Sequence, residues 1–205
     1  MEKLITLLIT LLLTGCGVFG IRTAKEPDYQ LLTEDGPIQI RHYPSLVVAV
    51  TEVKGDYKSS GNQAFQRLAG YIFGNNRKQQ KISMTTPVMQ EQQQFETMAM
   101  TAPVLQQQAG EVWQMAFVLP SEYSLTMAPI PLNSAVKIQP IPNKKVAAIC
   151  YSGSLTEQAI AAKSQQLKQW LIANGYKAVS PARSAAYDPP WTLPFLRRNE
   201  VHIHI

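Results

Sequence analysis

The last six residues, Glu200-Val201-His202-Ile203-His204-Ile205, alternate polar and apolar without a break. That period predicts a strand with Val201, Ile203 and Ile205 on one face and the two histidines on the other, the solvent side of a half-buried strand. Similar apolar-rich runs predict strands over residues 38–41, 46–53, 81–89, 97–105, 112–119, 135–139 and 146–151. Between them lie stretches with helical spacing. Phe65, Leu68 and Ile72 form one stripe; Ile160, Leu167, Trp170 and Leu171 form another. Capping-box patterns, Ser60-Gly61-Asn62-Gln63 and Ser154-Leu155-Thr156-Glu157, mark the two starts, and Gly74 and Gly175 supply the exits.

The pattern occurs twice. Adding 98 to a position carries Ile38 and Ile40 onto Val136 and Ile138, Pro44 onto Pro142, Val48 and Ala49 onto Val146 and Ala147, and Gly55 onto Gly153. A constant offset across a strand pair implies a duplicated unit, with halves at about residues 36–120 and 134–205. Two helices and about eight strands in matching halves predict an α+β fold, its antiparallel sheet curled towards a barrel with the helices outside.

Before this unit, Lys3 precedes a Leu/Ile/Thr run to Leu13 and the small-residue stop Thr14-Gly15-Cys16. A run of roughly ten apolar residues is too short to span a bilayer and has the layout of a secretory signal. Leu13-Thr14-Gly15-Cys16 also resembles a bacterial lipobox. The expected division is a lipoprotein signal peptide over residues 1–15, a lipidated Cys16 with a flexible tether over 16–28, and a domain over 29–205. Gly17 stands where an Asp would signal inner-membrane retention. The expected location is therefore the cell envelope, with the periplasmic face of the outer membrane favoured over the inner membrane.

Charge and cysteines narrow the chemistry. A net charge of +5 with scattered Lys and Arg makes nucleic acid a poor partner for an exported chain. With Cys16 committed to lipid, Cys150 is the remaining cysteine, so the mature chain forms no internal disulfide, and the run 146–151 reads as a buried strand with an inert thiol. The methionines, with Met98 and Met100 on one strand face, fill irregular core or line an adaptable apolar groove. No nucleophile elbow, zinc signature or suggestive carboxylate pair is present, so no enzyme activity is expected.

Met84-Thr85-Thr86-Pro87-Val88 recurs sixteen residues later as Met100-Thr101-Ala102-Pro103-Val104, within one half of the longer repeat. With Ile40-Arg41-His42-Tyr43, Gly74-Asn75-Asn76, Phe117-Val118-Leu119-Pro120-Ser121-Glu122-Tyr123, Tyr187-Asp188-Pro189-Pro190 and Arg197-Arg198-Asn199-Glu200-Val201, these segments resemble the SOUL haem-binding protein family from about Tyr29 onward. The resemblance implies a pseudo-twofold, distorted β-barrel flanked by two helices, and non-covalent binding of haem or a related tetrapyrrole. No metal is implied beyond haem iron.

The resemblance also suggests residues. His42 matches a histidine proposed as axial ligand in a vertebrate relative, and the neighbouring Arg41 would pair with a propionate. Other relatives bind in an apolar groove without that histidine. Tyr187, Trp191 and Phe195 in a Pro-rich loop offer flat surfaces for a macrocycle, followed by Arg197 and Arg198. His42 on an edge strand and the loop arginines in water are the plain structural alternatives. The expected function is an envelope lipoprotein that captures, buffers or passes on a tetrapyrrole. A structural or interaction lipoprotein, or an enzyme acting on a hydrophobic small molecule, is the alternative.

Overall fold

The computed structural model describes residues 24–92 and 112–205. Cys16, the tether up to residue 23, the expected strand over 97–105 and the second Met-Thr-x-Pro-Val copy lie outside them. In chain order the elements are β1 (Gln30–Asp35), β2 (Ile38–Tyr43), β3 (Leu46–Lys54), α1 (Tyr57–Ile72), β4 (Val88–Gln92), β5 (Val112–Val118), β6 (Val136–Ile141), β7 (Lys144–Tyr151), α2 (Glu157–Ala173), β8 (Arg183–Ala186) and β9 (Asn199–His204). A short 3-10 turn, Pro194–Leu196, precedes β9.

The nine strands of the described residues join one antiparallel sheet in the order β1-β2-β7-β9-β8-β4-β5-β3-β6, curled into a half-barrel. The expected α+β class, the duplication and the outer helices are all present. Setting β1 aside, the order reads the same from both ends when β2 is matched with β6, β7 with β3, β9 with β5 and β8 with β4. The pseudo-twofold axis therefore passes between β4 and β8. Each half lends its first strand to the other, since β2 pairs with β7 and β6 with β3.

The helices pack on one face of this sheet. Leu68, Tyr71 and Ile72 of α1 cover Ala49, Val53 and Phe117, while Leu167 and Leu171 of α2 cover Ile38, Ile40, Ala147, Ile149, Val201 and Ile203. The alternate residues Val48, Val50, Met89, Ala116 and Val118 pack together on the inner, concave face. Both layers exclude water by the two-residue period of a strand, applied to a sheet covered on both sides.

Several boundaries differ from the sequence reading. Helix α1 begins a turn earlier than its Ser60 pattern, because the Asp56 carboxylate accepts from the backbone N–H of Lys58 (3.0 Å) and Ser59 (2.9 Å). Ser60 is then buried inside the helix, its hydroxyl donating to the Asp56 carbonyl. Thr156 caps α2, accepting from Ala159 N–H at 3.2 Å. The exits do use positive φ at Gly74 (116°) and Gly175 (75°). Residues 81–87 are not ladder strand: Pro87 brings no N–H after a cis Thr86–Pro87 bond, Thr85 donates its hydroxyl to the Val118 carbonyl, and Thr86 N–H turns to Lys25. Cys150 is half-buried on β7 rather than fully buried, opposite Glu200 of β9.

Candidate ligand-binding site

The polar face of β9 does not meet solvent. Glu200, His202 and His204 point from it into the concave side of the half-barrel, where all three are buried. This corrects the expectation of a solvent face, and the reason is the curl. Val201 and Ile203 use the outer face against α2, and the other face is closed over by the strands opposite.

Glu200 is the hub, with none of its surface exposed. Arg41 grips it in a two-pronged bond, Nη1 to Oε2 at 2.7 Å and Nη2 to Oε1 at 2.9 Å. Arg198 donates to Oε1 through Nε at 2.9 Å, Tyr187 donates its phenol proton to Oε2 at 2.9 Å, and His202 Nε2 stands 2.6 Å from Oε2. Arg41 reaches Glu200 across β7, whose residue on that face is the small Ala148, opposite both Gln39 and His202. Gln39, Tyr43 and the Tyr29 ring hold the rest of the Arg41 guanidinium, and Tyr187 lies under that of Arg198 at 3.9 Å.

Burial alone would raise the Glu200 carboxyl, but His202 and Arg41 hold it well below the usual carboxylate range. Tyr187 is pushed far above the usual phenol range, by burial first and by Glu200 next, so it keeps its proton and donates. Burial lowers His202, against the pull of Glu200. We take His202 as neutral with its proton on Nε2: Arg41 and Arg198 already balance Glu200 and Glu26, the latter 3.0 Å from Arg198, so a further cation would be uncompensated.

Beside this network a cleft opens on the same face. Its cavity volume is about 40 Å³, well short of the about 300–1,000 Å³ of small-molecule sites, so a large ligand enters only if its walls part. Three pairs related by the 98-residue offset line it, Tyr43/Ile141, Pro44/Pro142 and Leu46/Lys144, so it straddles the pseudo-twofold where the two strand-pair turns meet. Chemistry breaks that symmetry. Leu46, Met89, Val118 and Ile141 make one side apolar; the cations Lys144 and Arg183 with the imidazoles of His202 and His204 make the other polar, and no Asp or Glu lines it, although Arg183 pairs with Glu91 behind it at 3.3 Å. His204 is pushed down to about 3 by burial, with Arg183, Lys144 and His202 adding to it. Its ring is therefore a neutral imidazole on the cleft wall, and its side chain makes no hydrogen bond among the described residues.

The family model described as SOUL heme-binding protein matches residues 24–204. The chain belongs to the SOUL family. No curated protein matches it. Among solved structures, this SOUL protein is similar in fold to the EcmrR C-terminal domain, with a TM-score of 0.56 at 14% identity over 86% of this chain and 96% of that one. It is also similar to an uncharacterized conserved protein and to a hydrolase, both from Listeria innocua, each with a TM-score of 0.52 at 10% identity over 88% of this chain and 93% of the other. At such identities the likeness is one of fold alone.

Of the residues singled out from sequence, the SOUL fold brings Arg41 and Tyr187 together on Glu200. His42 shares the outer face of β2 with Ile38 and Ile40, the face opposite Arg41 and Tyr43, and it does not line the cleft. It is half-buried, and its strand is not an edge, because β1 pairs outside it. Trp191 and Phe195 are exposed at 65% and 69%. Arg197 donates to the carbonyls of Thr192 (2.7 Å) and Pro190 (2.6 Å), tying down the Pro-rich loop. Arg198, expected beside the aromatic loop, binds Glu200 instead of lining the cleft, and Glu200, Arg183, His202 and His204 lie outside the sequence-based site residues, although the alternation of β9 marks three of them. Among the described residues no group of three or more His, Cys, Asp or Glu could hold a metal ion.

The lining suits a tetrapyrrole in kind and not in size. An apolar wall would suit the ring plane, Lys144 and Arg183, the latter 3.3 Å from Glu91, would suit carboxylates, and His204 is a neutral nitrogen donor, but a cavity of about 40 Å³ takes a macrocycle only once it widens.

Proposed function

We propose that this chain is an envelope lipoprotein, anchored through Cys16, that binds haem or a related tetrapyrrole non-covalently in the concave cleft for capture, buffering or transfer. Membership of the SOUL family over residues 24–204 carries the reading, and the amphiphilic, acid-free lining of the cleft supports it. When bound, haem supplies a flat aromatic plane, two carboxylates and an iron that accepts an axial nitrogen. In this reading His204 would supply the nitrogen donor to iron, Lys144 and Arg183 would pair with the carboxylates, and Leu46, Met89 and Ile141 would pack against the ring. The Glu200 network stands behind His202 and fixes the wall on which the ligand rests. Entry requires the turns carrying Pro44 and Pro142 to part, since these prolines frame the mouth.

The test is a haem titration of residues 17–205, followed at the Soret band, beside His204→Ala and His42→Ala. The expected result is saturable one-to-one binding, with the band position changed in His204→Ala and kept in His42→Ala. The reverse would return the ligand to His42 and the outer face. Absence of saturable binding in the parent would leave the chain as an interaction lipoprotein built on a rigid half-barrel.

A further inference from the structure

The exit of α1 and the loop between β5 and β6 form a face that neither the cleft nor the Glu200 network uses. Segment 73–81, Phe73-Gly74-Asn75-Asn76-Arg77-Lys78-Gln79-Gln80-Lys81, carries three cations; segment 125–134 runs Leu125-Thr126-Met127-Ala128-Pro129-Ile130-Pro131-Leu132-Asn133-Ser134. The two are strapped together by backbone bonds, Arg77 N–H to the Ile130 carbonyl at 2.9 Å and Leu132 N–H to the Asn75 carbonyl at 3.3 Å, with an Asn76–Pro131 bridge between. Tyr71 reaches from α1 to donate to the Pro129 carbonyl at 2.9 Å. Asn76 is fully buried beneath, its amide donating to the carbonyls of Tyr71 (3.0 Å) and Gln80 (2.8 Å) and accepting from Gln80 N–H (3.1 Å). The backbone of this face is thus fixed from within.

What it presents to solvent is apolar and basic. Phe73 is 65% exposed, Met127 58%, Ile130 54% and Leu132 59%, beside the exposed Arg77, Lys78 and Lys81. Neither segment contains an Asp or Glu; the nearest acid in sequence is Glu122, next to the Tyr123 that accepts from Gln80. Among the described residues no ion pair engages Arg77, Lys78 or Lys81. Large apolar side chains this exposed on two segments strapped together mark an interaction surface. Large apolar side chains among cations, with no anion between them, match the boundary between acyl chains and anionic headgroups better than a protein surface of mixed charge.

We propose that this face rests peripherally on an anionic lipid surface. Phe73, Ile130 and Leu132 enter the headgroup boundary, and Arg77, Lys78 and Lys81 pair with lipid phosphates. Among the described residues no helix is long and apolar enough to cross a membrane, so the contact is one of lying on the surface. The anchor at Cys16 is compatible in reach: Lys25 pairs with Thr85, four residues from Lys81, a span of at most about 14 Å, and the nine residues back to Cys16 extend no further than about 32 Å. The face stands as a lipid contact whether or not that thiol is acylated.

The test removes the lipid anchor. Residues 17–205, which carry neither the apolar leader nor Cys16, are sedimented with vesicles of phosphatidylglycerol and phosphatidylcholine, and with pure phosphatidylcholine, over a salt series. Beside it go Lys78→Glu/Lys81→Glu, Ile130→Asp/Leu132→Asp, and the control Ile172→Asp at the exposed end of α2, with circular dichroism melts to confirm folding. The expected result is salt-sensitive binding to the anionic vesicles, reduced at least about tenfold in both double variants and unchanged in the control. If the Ile130/Leu132 variant fails to fold, the lysine variant alone decides. Equal binding by variants and parent, equal binding to both lipids, or self-association of the parent abolished by the same changes would overturn the proposal, the last assigning the face to a second copy. None of these outcomes depends on whether the cleft binds a tetrapyrrole.

Discussion

At the scale of single residues, Glu200 decides how the concave face is built. Its carboxylate compensates Arg41 and Arg198, and with Glu26 it makes the cluster electroneutral. Glu200→Gln keeps the shape but leaves two guanidinium groups against a neutral amide. Removing one partner from a buried ion pair typically destabilises by about 3–5 kcal/mol, and urea unfolding of that variant should show a loss of this order. A loss near zero would mean that the arginines escape to water. His204 sets a second expectation. Its folded value near 3 lies below the unfolded imidazole value of about 6.5, so the unfolded chain binds its proton first as pH falls. The stability this group contributes is complete above about pH 6.5 and is lost progressively towards pH 3. His202, also lowered by burial, acts in the same direction, and Glu200, held low, adds acid sensitivity below the ordinary carboxylate range. Melting temperature should therefore fall between pH 7 and pH 4, with a shallower slope in His204→Gln. An unchanged slope would show that His204 titrates as an ordinary surface imidazole.

At the scale of elements, strong periodicity was legible and covering was not. Both helices and the strands of the repeated unit follow from spacing, capping and the 98-residue offset. β1 escaped because every one of its six residues is exposed, so it carries no apolar period to read. β8, Arg183-Ser184-Ala185-Ala186, lacks the β-branched and aromatic residues that mark a strand. β9 shows the deeper difficulty. Its alternation correctly assigns Val201 and Ile203 to a helix-covered face, but alternation cannot tell water from a second covered face. The polar residues of β9 read as solvated for that reason. The pairing that would have corrected this, Arg41 with Glu200, joins residues 159 apart and depends on β7 placing Ala148 between their strands. Both partners stood in recognised family segments; their meeting is a property of the sheet order, which no local pattern encodes.

At the scale of the whole molecule, duplication supplies a symmetric frame and divergence gives it a direction. Position by position, the second half of the frame places Gln139 where the first has Arg41, and Ile141 where it has Tyr43. One end of the half-barrel is thus charged and hydrogen-bonded while the other stays apolar, and the cleft lies where the two meet. A ligand with a flat apolar body and acidic edges fits that polarity, as the proposed tetrapyrrole would. Filling the cleft tests the account most directly. Leu46→Trp places an indole in its half-exposed apolar wall while leaving both histidines and every member of the Glu200 network unsubstituted. Haem titration of this variant beside the parent should show affinity falling at least about tenfold, the equivalent of about 1.4 kcal/mol, with the melting temperature held within a few degrees. Unchanged haem affinity in a folded Leu46→Trp protein would contradict the account and place the tetrapyrrole outside the concave cleft.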